Sequence, residues 1–89
     1  MAIISMFYGI IISMFYGDNR QHKLPHIHAR YQEFRAVFSI PDGELITGSL
    51  PPNKIKLVQA WIVMYQEDLM ANWELAINEK NIFRIEPLK

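Results

Sequence analysis

The sequence predicts an α+β domain, an antiparallel four- to five-stranded β-meander packed against one long C-terminal helix. Three observations carry that expectation. Residues 3–9 recur unchanged at 11–17, and each copy is β-branched and aromatic and ends in glycine. His26 to Tyr31 alternate polar and apolar side chains, as a strand with one buried face does. Beyond Pro51-Pro52 the apolar residues fall at three- and four-residue steps, the spacing of an amphipathic helix.

Eighty-nine residues without cysteine make a single domain, 1–89, that must fold on its core alone. An apolar fraction of 51% is enough for one and is too high for a disordered tail. Residues 1–17 are apolar but broken by Ser5, Gly9 and Ser13, with no basic lead and no small-residue cleavage site. They read as buried strand rather than signal peptide or membrane span, and a cytoplasmic location with no membrane partner follows as the expectation. Charge sums to zero but is uneven. Residues 1–40 hold four Lys/Arg against two Asp/Glu and all three His; residues 41–89 hold five against seven. That split favours an anionic partner on the N-terminal half, well short of a nucleic-acid-binding charge excess.

The two septets read as strand, tight turn, strand. Two copies are too few for a solenoid. Asp18 to Leu24 is a polar loop, closed by Pro25, that presents Arg20, His22 and Lys23. A two-residue hairpin loop at Gln32-Glu33 would pair Tyr31 with Phe34, Ala29 with Ala36 and Ile27 with Phe38, all apolar. The other face then aligns Arg30 with Arg35, His28 with Val37 and His26 with Ser39. A slip of one residue would put both apolar rows on the wrong side. Pro41-Asp42-Gly43-Glu44 is a turn signal, and Leu45 to Leu50 should return beside Phe34–Ile40.

Pro at the first helical turn loses no hydrogen bond, so Pro51-Pro52 opens the helix. Val58, Trp61, Ile62, Tyr65, Leu69 and Trp73 form its apolar stripe. From Asn53 to Asn78 the helix would reach about 40 Å, more than a small sheet covers. Either it breaks near Gln66–Asp68 or its end packs on a second copy, which makes a homo-oligomer an expectation. Ile82 to Leu88 reads as a short extended tail.

Several runs together resemble the DUF4160 family: Phe7-Tyr8-Gly9-Ile10, Pro25-His26-Ile27-His28-Ala29-Arg30-Tyr31, Ala36-Val37-Phe38, Asp42-Gly43-Glu44 and Gly48-Ser49-Leu50-Pro51. Lys56-Leu57-Val58-Gln59-Ala60-Trp61, Asn72-Trp73-Glu74-Leu75-Ala76 and Ile85-Glu86-Pro87-Leu88 continue the likeness in order. The resemblance implies a small bacterial protein, often encoded beside a DUF2442 protein in what has been proposed to be a toxin–antitoxin pair. It also places His22, His26 and His28 at the family's His positions. Leu24 stands where the family pattern has proline, and Gln32 where it has a turn glycine.

Three chemistries fit the His-rich strand. His22, His26 and His28 could ligate a divalent transition metal, although no fourth ligand is evident and Asp18 is the nearest carboxylate. His26 and His28 could instead be general base and acid on RNA, with Arg30 stabilising developing charge and Arg20, Lys23 and Arg35 contacting the anion. The alternative is a non-catalytic protein- or nucleic-acid-interaction module that assembles through its helix, where Trp61, Met64, Met70 and Trp73 exceed what one small sheet covers. Phosphate-binding glycine loops, a Gly-x-Ser-x-Gly elbow, a His-Glu-x-x-His motif and a cysteine nucleophile are all absent. One acidic-ended helix does not make a helix-turn-helix.

Overall fold

The computed structural model describes residues 2–15 and 24–89. Five strands run β1 (Ala2–Phe7), β2 (Ile10–Met14), β3 (His26–Tyr31), β4 (Phe34–Ser39) and β5 (Leu45–Gly48), followed by α1 (Pro52–Met64) and α2 (Gln66–Ile77). The strands lie in the sheet in chain order, each antiparallel to the last. An α+β meander is therefore what the chain forms.

The first hairpin turns at Tyr8 and Gly9, both at positive φ (50° and 78°). Two left-handed residues in a two-residue loop are the signature of the type I′ turn, whose twist suits flanking strands. β3 and β4 pair in the register that apolar matching requires, from His26 opposite Ser39 to Tyr31 opposite Phe34. The loop is two residues long, with Gln32 at φ 54° in a conformation that favours glycine. A side chain held there costs about 1–2 kcal/mol, partly offset by glycine's greater freedom in the unfolded chain. Gln32→Gly is therefore expected to raise stability by about 0.5–1 kcal/mol in urea denaturation, and a loss of stability would contradict this turn geometry.

The repeated septet is used twice in different ways. A bulge in β1 pairs Ile3 with Ser13 and Ser5 with Ile12, leaving Ile4 as the extra residue. Past it, the first copy is turned over relative to the second. Ser5 and Phe7 face the helices while Met6 faces out; in the second copy Met14 is buried in the core and Ser13 and Phe15 lie on the open face. The Ser5 hydroxyl is buried and finds no hydrogen-bond partner among the described residues. Ser5→Ala removes that desolvation cost and should stabilise the fold by up to about 1 kcal/mol, measurable as a raised melting temperature. A clear destabilisation would show that the hydroxyl is satisfied.

The expected single long helix is two helices. Tyr65, at φ −118° and ψ 29°, separates α1 from α2, while Tyr65 N–H still reaches the Trp61 carbonyl and Leu69 N–H the Tyr65 carbonyl. A straight helix over residues 52–77 would measure about 39 Å, against a longest molecular dimension of 33 Å. The chain bends so that Val58, Trp61 and Ile62 on α1 and Leu69, Trp73 and Ala76 on α2 all reach one core. Glu67 and Asp68 in the first turn of α2 suit the positive end of its dipole. Among the described residues no helix is long and apolar enough to cross a membrane.

The tail closes one sheet edge. Ile85 N–H donates to the Ile4 carbonyl at 2.8 Å and its side chain is buried. Asn72, fully buried on α2, holds Phe83 by both backbone groups, donating to its carbonyl at 2.7 Å and accepting its N–H at 3.0 Å. Trp61 Nε1–H donates to the Glu86 carbonyl at 2.7 Å. Among the described residues β5 has no such cover, and all four of its residues are exposed.

Candidate functional site on the open sheet face

Helices cover one face of the sheet, and the other carries the polar side chains of β3. Register fixes two rows across it. One runs Ile3, Ser13, His28, Val37, Thr47, and the next runs Met6, Ile11, Arg30, Arg35. All but Met6 of these residues line a groove of about 310 Å³, near the lower limit for ligand sites. Its β1–β2 end is apolar, through Ile3, Ile11 and Phe15; its β3–β5 end carries His28, Arg30, Arg35 and Thr47. Among the described residues no carboxylate lines it.

Arg30 and Arg35 are directly opposite each other and both are exposed. Like charges in that position cost a sheet roughly 0.2–1 kcal/mol, a cost that an anion between them would remove. The half-buried His28 ring meets the Phe15 ring edge-on at 4.4 Å between centroids. Arg35, an expected anion contact, stands beside Arg30 in the site, as the β3–β4 register expected from the sequence requires.

His26 has a different setting. Its ring is 5.2 Å from that of His28, centroid to centroid, so the two imidazoles are neighbours. It is also fully buried, 5.0 Å from the Trp73 ring, and its Nδ1–H donates to the Leu24 carbonyl at 2.8 Å. His26 and His28 share the parity of one strand face, but His26, the first residue of β3, also lies against Trp73 of α2, whereas His28 lines the groove. Arg20, His22 and Lys23 lie outside the described residues. Two neighbouring imidazoles are thus what the described part of the His set supplies, and among the described residues no group of three or more His, Cys, Asp or Glu is placed to hold a metal ion. The aromatic side chain that sequence reasoning missed is Phe15, which belongs to a copy of the septet whose twin, Phe7, is core.

Fold and face together define a small α+β domain with a cationic, part-aromatic sheet surface. A family model described as "Domain of unknown function (DUF4160)" matches residues 9–74, well over half of the chain. The chain belongs to the DUF4160 family. The match leaves out β1 and the tail, the two segments joined through Ile4 and Ile85. No curated protein and no solved structure matches it.

Proposed function

We propose that this chain is the RNA-directed, toxin-like member of a bacterial two-protein pair, and that it binds single-stranded RNA on the open sheet face. The observation that supports this most is the opposed Arg30–Arg35 pair in a groove that no carboxylate among the described residues lines, flanked by Phe15 and His28. A phosphate between the guanidiniums relieves their repulsion through charge-assisted hydrogen bonds. Bases have flat faces that pack on aromatic and aliphatic surface whatever their sequence, and Ile11 and Phe15 offer such surface one strand away. The pairing with a DUF2442-like partner rests on the family resemblance alone.

Binding is favoured over cleavage. Attack by a ribose 2′-OH needs a base and an acid in reach of the substrate, and His26 is buried behind Trp73. His28 is left as the imidazole at the groove, with His26 as the residue that positions it.

Fluorescence anisotropy with a labelled oligouridylate tests the reading. The Arg30→Ala/Arg35→Ala double variant should bind at least about tenfold more weakly. It should also lose about 0.7 from the slope of log affinity against log salt, the value for one phosphate contact on a single strand. Wild-type protein that does not bind, or a double variant that binds equally well, would overturn the proposal. Intact label after incubation is expected for the wild type. Cleavage that disappears in His28→Ala would instead establish an RNase.

A further inference from the structure

The two edges of the sheet are treated differently. At β1 the tail supplies Ile85 N–H to Ile4 and buries the Ile85 side chain. At β5 the residues Leu45, Ile46, Thr47 and Gly48 include no charge and no proline, and all are exposed. Natural sheets blunt a bare edge with lysine, proline, bulges or a cover, because it is a template for another strand. Among the described residues, β5 has of these devices a bulge alone, at Ile46 between the pairs Val37–Thr47 and Phe38–Leu45.

What would suit this edge is set by its two sides. On the open face the β5 residue is Thr47, which is small, and its neighbour Gly48 has no side chain. Arg35, one strand in, is therefore not screened from the edge, and it is exposed with no carboxylate among the described residues in the groove beside it. On the helix side Leu45, opposite the core residue Phe38, is 38% exposed. α1 passes close by, since Gln59 Nε2 donates to the Gly43 carbonyl at 2.9 Å, and one helical turn beyond Gln59 stands Val63, 56% exposed.

We infer that β5 is a docking edge for an extended segment of a partner protein that alternates acidic and apolar residues. Backbone pairing with β5 supplies the attachment, as in other strand-addition complexes. Period-two alternation then sends carboxylates over Thr47 toward Arg35, and apolar side chains toward Leu45 and Val63. The surface shares Arg35 with the RNA reading but does not depend on it. A strand docked there would compete for the same cation.

The test uses the whole chain and a capped peptide of alternating valine and glutamate, with the amide spectrum recorded during titration. Saturable shifts at the amides of Leu45–Gly48 are expected. A valine–lysine peptide should bind at least about tenfold more weakly, because opposed charge decides between partners of equal shape. Arg35→Glu should reverse that preference. The valine–glutamate peptide N-methylated at alternate residues, which cannot pair, should not bind. Equal binding of the methylated or the lysine peptide would overturn the inference. So would β5 amides already protected in the free protein by a second copy on the same edge. RNA binding, measured separately, neither supports nor removes this result.

Discussion

Trp61→Ala is expected to leave the protein largely unfolded. The ring is fully buried, 5.3 Å from Phe7 and 6.1 Å from Tyr65, and its N–H is satisfied by the Glu86 carbonyl. It therefore joins β1, α1 and the tail in one contact. Truncating a buried tryptophan costs about 3–5 kcal/mol in lost transfer energy and cavity, while a domain of this size has about 4–13 kcal/mol in total. Trp61→Phe keeps much of the packing and loses the hydrogen bond, worth about 1 kcal/mol. Urea denaturation followed by circular dichroism checks the order wild type, Phe, Ala. An alanine variant within 1 kcal/mol, roughly, of the wild type would mean that Trp61 does not anchor the core.

Gly48→Ala is the second large effect. Gly48 adopts φ 81°, and a Cβ added there would overlap the Arg35 carbonyl oxygen and come within 2.9 Å of the Ala36 Cα. Those are backbone atoms of the adjacent strand, so no side-chain rotation relieves the overlap. Either the left-handed turn is abandoned or β5 lifts from β4, losing the Ala36–Gly48 pair and the 2.9 Å bond from Ser49 N–H to the Arg35 carbonyl. Overpacking against rigid neighbours costs about 1–3 kcal/mol, and the left-handed residue about 1–2 more. At about 4–8 °C per kcal/mol for a domain of this length, the melting temperature should fall by about 10 °C or more. Hydrogen exchange at Leu45–Ser49 should accelerate first. A melting temperature within a degree or two of wild type, on the same scale, would contradict the close approach of these strands.

The β3–β4 register was legible because each apolar residue of one strand had an apolar residue opposite it. The complementary face, with Arg30 against Arg35, followed without further information. The start of the helical region at Pro52 was legible from the paired prolines. A break near Gln66–Asp68 was one of two ways the length of the stripe left open; the structure has it at Tyr65, marked by no glycine or proline, because it depends on how far the sheet extends beneath the stripe. His26 shows the same division: alternation put it beside His28, but its burial depends on α2 bringing Trp73 across the chain.

The duplicated septet marks the boundary most sharply. By itself the sequence determined an antiparallel meander, a strand with His28 and Arg30 on one side, and family membership, since all three reside in local spacing and short motifs. Only the tertiary structure decided that Phe7 belongs to the core and Phe15 to the groove, and that the tail docks on one sheet edge while the residues of the other are exposed. Two identical strings have identical local preferences. A single bulged residue in β1, imposed by pairing with β2 and by the tail that docks on Ile4, turns one copy over relative to the other.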